Sequence, residues 1–291
     1  MTHLFCFGLG YSAQRVARQL ADDGWTISAT ARTSATAESI RHMGYRVCPL
    51  YKDARENVIA ALREATHLLL SAAPDASGDP LLNLIGDADI AAFKNLQWIG
   101  YLSTVGVYGD SEGTWIDETA PLAASSVRGR RRIEAEAAWV SFAQRLNARM
   151  QIFRLAGIYG PGRSAIDRLR EGTAHRIIKP DQVFNRIHVD DIAQAVIAGI
   201  AGRGSEQVYN VTDDEPGPPQ DVVTFAAELL QVPPPPEVPF AQAELTPMAR
   251  SFYADNKRIR NARLRQDLGV SLKFPTYRDG LRAVLATMHS L

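Results

Sequence analysis

Residues 3–20 constrain the fold of this chain more than any other stretch. An apolar run from Leu4 to Phe7 ends at Gly8, and Gly10 and Ala13 follow it in a G-x-G-x-x-A pattern. The residues after the turn repeat at i, i+3, i+4 and i+7, which indicates one apolar face of a helix made by Ala13, Val16, Ala17 and Leu20. The pattern therefore predicts a buried strand, a tight turn and an amphipathic helix.

Each small residue in this turn has a physical role in binding a dinucleotide. Gly8 permits the tight turn, Gly10 lets the backbone approach a pyrophosphate, and Ala13 lets the helix pack closely on the strand. The free N–H groups at the helix start, from Tyr11 and Ser12 onward, would face the anion. A bare tight turn is the alternative. The strand before the turn and the helix after it favour a dinucleotide-binding site.

The end of the second predicted strand indicates which dinucleotide is bound. The strand runs from Trp25 to Ala31, and Arg32, Thr33 and Ser34 follow it. An NAD site usually carries an acidic residue here to hold the ribose 2′-hydroxyl, and this chain has none. A guanidinium flanked by hydroxyls suits a 2′-phosphate, although a solvated surface arginine is the plain alternative. The sequence therefore predicts a preference for NADP over NAD.

Composition limits the class of protein and its partners. The chain has 291 residues, 46% of them hydrophobic, and its formal net charge is +0. This balance predicts no nucleic-acid partner and no binding to an acidic membrane. Cys6 and Cys48 fall in predicted strands, as expected for reduced core residues of a cytoplasmic protein. The sequence shows no signal peptide and no run long enough to span a membrane.

Strand and helix patterns alternate from the start of the chain, which predicts an α/β fold with a doubly wound parallel (Rossmann) sheet. The predicted strands are 4–7, 26–30, 46–50, 67–71, 97–102 and 150–155, and the predicted helices between them are 11–23, 34–43, 53–65, 84–95 and 128–147. Residues 1–156 are the expected dinucleotide-binding domain. Residues 157–291 are expected to complete the sheet and to form a smaller, interleaved substrate cap, with helices near 164–171, 189–201, 255–266 and 276–289 and a strand near 207–211.

Four further segments resemble an extended short-chain dehydrogenase/reductase, of the NAD(P)-dependent epimerase/dehydratase superfamily. They are Tyr101–Gly109 (YLSTVGVYG), Arg154–Gly162 (RLAGIYGPG), Arg186–Ala193 (RIHVDDIA) and Val208–Val211 (VYNV). Their order and spacing match the superfamily from residue 3 to about 215. The resemblance implies that Ala156, Gly157 and Ile158 run beside the nicotinamide. Small residues after the fourth strand, Ser71, Ala72, Ala73 and Pro74, would let the cofactor ribose pass, although they also suit a plain tight turn.

The chain departs from this superfamily at the catalytic pair. The superfamily has a Tyr-x-x-x-Lys on the helix after the fifth strand, where the tyrosine exchanges a proton and the lysine binds the nicotinamide ribose. Gly129 and Glu136 keep the local pattern, but Arg128 falls on the tyrosine and Arg132 on the lysine. Arg132 can still donate to a ribose hydroxyl, whereas Arg128 does not titrate near neutral pH and would instead clamp an anionic group. The glycine turn and the lost pair resemble those of an atypical subgroup.

The remaining catalytic candidates follow the fifth strand. Ser103, at the carboxyl end of that strand, is predicted to contact and polarise a substrate oxygen, with help from Thr104 or Tyr108. An ordinary strand-end serine is the alternative. Tyr108 is expected to pack or to touch substrate, and its direct use in proton transfer is the weaker hypothesis, since Glu112 stands where a lysine would be needed.

Acidic and histidine residues near position 190 are expected to have structural roles. His188 is predicted to shape a helix start, and Asp190 and Asp191 to cap the helix. No cluster of histidines and cysteines accompanies them, so no metal site is predicted. The arginine-rich run at 128–132 is too short to indicate nucleic acid.

Two hypotheses about function remain open at this point. One is an NADP-dependent oxidoreductase or epimerase with non-standard catalytic residues, acting on a small polar, anionic substrate such as a nucleotide sugar. The other is a non-catalytic NADP-binding sensor or regulatory protein, with a structural protein carrying a vestigial site as a minor third. The resemblance also suggests a homodimer built on helices 84–95 and 128–147, with Trp139 and Phe142 either at that interface or in the core.

Overall fold

The computed structural model describes residues 2–88 and 90–288, and strands alternate with helices along their first half. The elements of this half are, in chain order, β1 (His3–Phe7), α1 (Tyr11–Asp22), β2 (Thr26–Ala31), α2 (Ser34–His42), β3 (Arg46–Pro49), α3 (Ala54–Glu64), β4 (His67–Leu70), α4 (Pro80–Ile85), β5 (Trp98–Thr104), β6 (Trp115–Ile116), α5 (Val127–Leu146) and β7 (Arg149–Leu155). Single 3-10 turns cover Ile90–Phe93 and Val105–Val107.

The second half adds shorter strands and a second group of helices. They are β8 (Gly157–Tyr159), α6 (Ala165–Arg170), β9 (Arg176–Ile178), β10 (Arg186–His188), α7 (Val189–Ile200), β11 (Val208–Val211), α8 (Pro219–Leu230), β12 (Glu237–Pro239), α9 (Pro247–Ser251), β13 (Arg258–Ile259), α10 (Ala262–Gln266) and α11 (Tyr277–Met288). A 3-10 turn at Phe240–Gln242 follows β12.

The main sheet of the described residues has the order β11-β7-β5-β4-β1-β2-β3, and all its neighbouring strands are parallel. The chain runs outward from β1 to β3, then returns to place β4 on the other side of β1. The doubly wound parallel fold predicted from the sequence is therefore confirmed. In such sheets a ligand binds outside the carboxyl ends of the strands at this reversal, here between β1 and β4.

Alternate residues of β1 build two separate cores. Leu4 and Cys6 face a layer that includes residues of α1, α2 and α7, whereas Phe5 and Phe7 face a layer that includes residues of α3, α4 and α5. The strand is buried along its whole length, as expected for a parallel strand covered on both faces. Cys6 and Cys48 are both buried and free, as the sequence predicted.

Residues beyond 156 add one strand and one helix to the main α/β unit, and they also form a separate apolar cluster. β11 pairs with β7 at the edge of the main sheet, and α7 packs against α1. The short pairs β8–β10, β9–β12 and β6–β13 are also parallel, and α6, α8 and α11 share an apolar cluster that contains Tyr159, Ile166 and Phe225. In the part of the chain that the structure describes, no helix has the length and apolarity needed to cross a bilayer.

Two predicted helices differ from the structure. The helix predicted at 84–95 is wrong, because α4 ends at Ile85, Gly86 follows it with a φ of +53°, and only a single turn forms at 90–93. Asp89 lies outside the described residues. The helix predicted at 255–266 is shortened to α10, since β13 occupies 258–259.

The aromatic residues considered for a dimer interface lie in the core. Trp139 is fully buried and Phe142 nearly so, in the cluster that also contains Phe93. Phe142 packs against the rings of both Trp139 and Phe93. The homodimer stays a prediction, but these two side chains do not supply its contacts.

A stability prediction follows from the close approach of α7 to the sheet. A Cβ on Gly199 would lie 2.3 Å from the buried Gln151 Oε1, which accepts a 2.7 Å hydrogen bond from Trp98 Nε1. Overpacking costs about 1–3 kcal/mol, and disrupting this hydrogen bond adds about 1–3 kcal/mol. Together these exceed the roughly 1 kcal/mol that alanine gains over glycine in a helix. Gly199→Ala should therefore lower the free energy of unfolding in urea, and an unchanged or higher value would contradict this packing.

Candidate active site

The turn after β1 joins the carboxyl ends of three strands. The backbone N–H of Gly8 donates to Thr30 Oγ1 of β2 at 2.8 Å, and the Gly8 carbonyl accepts from Ser71 Oγ, just after β4, at 2.8 Å. Gly8 has a φ of +88°, and a Cβ there would lie 2.9 Å from Ser71 Oγ. Glycine is required at this position both by its backbone conformation and by the closeness of Ser71.

The start of α1 is open on the side where a ligand would approach. Gly10 is the N-cap residue, it makes no side-chain cap, and a Cβ placed on it meets nothing within 4 Å. The first turn of α1 carries no acidic residue, while Ser12 and Ala13 are buried against the sheet. Tyr11 is held to the side, since its hydroxyl donates to the Pro161 carbonyl at 3.0 Å. The N–H groups of this turn therefore fit an anion such as a diphosphate.

The end of β2 offers a cation and no carboxylate. Arg32 is exposed, and within residues 2–88 and 90–288 its guanidinium has no hydrogen-bond or ion-pair partner. Thr33 caps α2, since its side chain accepts from the Thr36 N–H at 3.2 Å, and Ser34 is exposed beside it. The arrangement is open to a phosphate, and it lacks the acidic residue that would bind a ribose diol.

The other predicted cofactor residues lie along the same edge of the sheet. Ser71, Ala72, Ala73 and Pro74 leave β4, with Ser71 and Ala72 both donating backbone N–H groups to the Phe7 carbonyl. Ala156 follows β7 and is buried, Gly157 is exposed, and Ile158 is half-buried. The structure thus brings together the ends of β1, β4 and β7 that the sequence assigned to one site.

Ser103 points into the protein and joins a buried ion pair. Its hydroxyl donates to Glu136 Oε1 at 2.5 Å, and Arg154 donates to both oxygens of the same carboxylate, at 3.3 and 2.7 Å. All three residues are at most 4% exposed. Because its hydrogen is given to Glu136, the Ser103 hydroxyl can only accept a further hydrogen bond in this state.

Tyr108 continues this network away from the surface. Its hydroxyl donates to Asn210 Oδ1 at 2.6 Å and accepts from Arg154 Nη1 at 2.9 Å. Burial raises the pKa of Tyr108, although the adjacent Arg154 opposes this shift. We call Ser103, Glu136, Arg154, Tyr108 and Asn210 the buried polar network. Its hydrogen bonds connect α5 to β5, β7 and β11.

Thr104, the last residue of β5, carries a second hydroxyl next to Ser103. It is half-buried, and its Oγ1 accepts from the Gly106 N–H at 3.1 Å, which leaves the hydroxyl hydrogen free to be donated. A group that polarises a carbonyl oxygen must donate a hydrogen bond to it. In this geometry Thr104 meets that requirement and Ser103 does not.

The two arginines on α5 have separate surroundings. Arg132 is half-buried and its Nη1 donates to the Leu102 carbonyl at 2.7 Å and to the Tyr101 hydroxyl at 3.1 Å. Arg128 is exposed, with its Nη2 donating to Ser251 Oγ at 3.0 Å and its guanidinium over the Phe252 ring. Arg132 is therefore anchored on β5, whereas Arg128 reaches across to the segment around α9.

His188 is the N-cap residue of α7, a role that the sequence analysis assigned to Asp190 and Asp191. Its Nδ1 accepts from the Asp190 N–H at 3.2 Å. Asp191 is fully buried and accepts from the backbone N–H groups of Lys273 and Phe274, at 2.6 and 3.1 Å. Asp190 lies in the first turn of α7 beside Arg15. No described residues form a group of three or more His, Cys, Asp or Glu side chains suited to a metal ion.

Residues 8–212 match the sequence model of the NAD dependent epimerase/dehydratase family. The chain belongs to this family. A functionally unknown conserved protein from Silicibacter pomeroyi DSS shares 49% sequence identity with it, with 99% of each chain covered and a TM-score of 0.91. The comparison with curated proteins gave no match.

Two more distant solved structures share the fold of this epimerase/dehydratase family member. UDP-glucose 4-epimerase from Thermotoga maritima, solved with UDP-glucose, is 17% identical over 100% of this chain and 99% of its own, with a TM-score of 0.77. UDP-glucose 4-epimerase from Thermus thermophilus, in complex with NAD, is 20% identical over 99% of each chain, with a TM-score of 0.75. Both span the full length of the chain, including the region after residue 156.

The buried polar network was not recognised from the sequence of this epimerase/dehydratase family member. Arg154 stands in the otherwise apolar end of a predicted strand, and Glu136 keeps the family pattern on α5. A charged residue inside a buried parallel strand signals a buried partner of opposite charge, because an unpaired charge there is too costly. The sequence alone does not identify which acidic residue pairs with Arg154, and the structure shows that it is Glu136.

The first site prediction concerns Glu136. Glu136→Gln leaves the buried Arg154 charge without its carboxylate, and breaking a buried pair in this way costs about 3–5 kcal/mol. Glu64→Gln is the matched control, since its 3.2 Å pair with Arg46 is exposed on both sides, and such pairs contribute about 0–1 kcal/mol. Urea unfolding should show a large loss for the first variant and little for the second. Equal losses would contradict the high cost of leaving the buried Arg154 without its carboxylate.

The second site prediction concerns pH. Burial lowers the pKa of His188 to about 4 from 6.5, so the unfolded chain binds this proton more readily than the folded one, and the stability that neutral His188 provides is lost as the pH falls from about 6.5 to about 4. His188→Asn keeps a cap acceptor but cannot titrate in this range. The stability of the wild type minus that of the variant should fall by up to about 3 kcal/mol across this range. Parallel stability curves would refute this.

Proposed function

We propose that the chain is an NADP-dependent oxidoreductase of the epimerase/dehydratase type, acting on a small polar carbonyl compound with an anionic group. The observation that carries the proposal is the open glycine turn at the β1–β4 reversal, together with Arg32 after β2, whose guanidinium has no partner among the residues that the structure describes. The family is described as NAD dependent. The specific preference for the 2′-phosphate rests on Arg32 and on the missing acid at the end of β2.

The chain's own residues fit such a cofactor. The N–H groups after Gly10 would hold the diphosphate, Arg32 with Thr33 and Ser34 would hold the 2′-phosphate, and Arg132 would donate to the nicotinamide ribose. No acceptor in residues 2–88 and 90–288 takes the remaining N–H groups of Arg132, which supports this role. The nicotinamide supplies hydride exchange at a carbonyl carbon when it is bound.

Thr104 would orient and polarise the substrate oxygen. It stands at the carboxyl end of β5, where ligands bind in such sheets, with a hydroxyl hydrogen left to donate. Arg128 would bind an anionic group of the substrate, because its guanidinium is exposed and held only by a neutral hydroxyl and a ring. Nucleotide sugars fit these requirements, and the two 4-epimerases of similar fold act on such compounds.

A second candidate function is a non-catalytic NADP-binding sensor. The observation that favours it is the buried polar network, in which the hydroxyls of Ser103 and Tyr108 are already committed to protein partners. A sensor needs the cofactor site but no proton donor. It would bind NADP and change its affinity for a partner protein without transferring a hydride.

Cofactor preference tests the binding part of the proposal. NADPH should bind more tightly than NADH in titration calorimetry, and Arg32→Ala should weaken NADPH binding by about 10–100-fold, the loss of one charge-assisted hydrogen-bonded contact. Binding of NADH should change little. Arg41→Ala is the control, since Arg41 is an exposed arginine in the last turn of α2. Equal wild-type affinities for the two cofactors would overturn the NADP preference.

Hydride transfer separates the two functions. The protein is incubated with NADPH deuterated at C4 and a panel of nucleotide sugars, keto acids and aldehydes, and products are analysed for deuterium by mass spectrometry. The enzyme proposal expects deuterium in at least one product. Tight NADPH binding without transfer, together with a partner captured only in the presence of NADPH, would favour the sensor.

A further inference from the structure

Lys257 is a buried lysine that none of the roles above uses. It is 7% exposed and lies just before β13. Its Nζ donates to the Gly109 carbonyl and to Asp255 Oδ2, the latter at 3.1 Å. An ammonium has three N–H groups, so one of them remains after these two contacts.

Three segments that line the candidate site converge on this lysine. Gly109 lies five residues after Thr104, and a Cβ on it would be 2.1 Å from the Ala123 carbonyl, so this loop is pressed against the stretch that leads into α5. On that same stretch, Ser125 Oγ donates to Asp255 Oδ1 at 2.7 Å. The lysine–carboxylate pair therefore bridges the end of β5 and the start of α5.

The third segment connects the lysine to the expected nicotinamide side. The Lys257 carbonyl accepts from Asn185 Nδ2 at 2.9 Å, and the Asn185 carbonyl accepts from the Gly157 N–H at 3.0 Å. Asn256 Oδ1 also accepts from the Val183 N–H at 3.1 Å. Asn185 thus connects the backbone of Lys257 to Gly157, the residue expected to run beside the nicotinamide.

We propose that Lys257 faces the substrate carbonyl and supplies the proton that the family's tyrosine supplies elsewhere. This role rests on the proposed function. In reduction, the carbonyl carbon accepts a hydride from the reduced cofactor, and the C=O π bond opens onto oxygen. That oxygen takes a proton from Lys257 Nζ, whose N–H electron pair stays on nitrogen. The neutral amine then regains a proton from water.

The surroundings of Lys257 suit proton donation. Burial lowers the pKa of Lys257, and Asp255 and then Asp110 oppose this shift. These two carboxylates, one on the lysine's own segment and one on the loop after β5, are the charged groups that face it. A lysine whose pKa is lowered toward neutral pH gives up its proton more readily at that pH.

The nearby tyrosines are less suited to this task. Burial raises the pKa of Tyr101 to about 12, and its hydroxyl accepts from Arg132. Burial also raises the pKa of Tyr108, whose hydroxyl proton is donated to Asn210. The pKa values of both tyrosines therefore shift away from neutral pH, whereas the pKa of Lys257 shifts toward it.

Kinetic labelling of the wild-type protein tests whether Lys257 lies at the cofactor site. The amine groups are acetylated briefly with acetic anhydride between pH 6 and 10, with and without NADPH, and each lysine is quantified by mass spectrometry. NADPH at about 100 times its Kd leaves about 1% of sites free, so labelling of Lys257 should fall by up to about a hundredfold. Lys179 is the matched control, since it is half-buried and hydrogen-bonded to Gln182 and to the Tyr253 carbonyl.

Three outcomes are informative. Labelling of Lys257 that NADPH suppresses, with Lys179 unaffected, supports the proposal. A lysine that never reacts in the free protein, or that reacts equally when NADPH is bound, overturns it while leaving the cofactor site intact. Absence of saturable NADPH binding in a parallel fluorescence titration overturns the proposed function itself.

Turnover tests the chemistry with any compound that the deuterium panel shows to be reduced. Lys257→Arg keeps the charge and donor groups but does not release a proton near neutral pH. We expect kcat to fall by about 10²–10⁴-fold, the usual contribution of a positioned acid, with the Kd for NADPH unchanged. Lys179→Arg should keep the wild-type kcat. An unchanged kcat and pH profile in Lys257→Arg would reject proton donation by Lys257.

Discussion

The close approach of Gly8 to Ser71 is the contact on which the rest of the site depends. It places β1, β2 and β4 so that their carboxyl ends meet at one turn, with Thr30 and Ser71 satisfying the two backbone groups of Gly8. Any side chain at Gly8 would push against Ser71 Oγ and Ala72 N. Because both neighbouring strands are held here, α1 starts at the reversal of the sheet, and its free N–H groups face the crevice at that reversal.

The buried polar network performs a second positioning task, between the sheet and α5. A desolvated ion pair contributes little net free energy, but leaving either partner alone is costly. Glu136 and Arg154 therefore favour one placement of α5 on the sheet. That placement puts Arg132 on β5 and directs Arg128 toward Ser251. It also takes up the hydroxyls of Ser103 and Tyr108, which leaves Thr104 as the donor at the end of β5.

The region after residue 156 contributes a buried lysine, Lys257, to the surroundings of the loop that follows β5. Gly109, Asp255 and Asn185 come from three distant parts of the chain, and all three contact Lys257. Lys257 is therefore held by both the loop after β5 and the segment before β10. A buried lysine with one spare N–H differs chemically from a solvated arginine, since burial lowers the pKa of the lysine whereas a guanidinium stays protonated.

The sequence by itself determined the alternating strands and helices, the parallel doubly wound sheet, the glycine turn and the family, because these depend on local periodicity and on short motifs. It failed at 84–95, where α4 ends before Gly86 with its positive φ, although Ile85 and Phe93 are still buried in the core. Only the tertiary structure decided which acid pairs with Arg154, which of Ser103 and Thr104 keeps a free hydrogen, and what lies beside Gly109. The contacts of Arg154, Ser103 and Gly109 that decide them join residues 18 to 148 positions apart, and the spacing of residues along a chain does not encode which distant side chains meet.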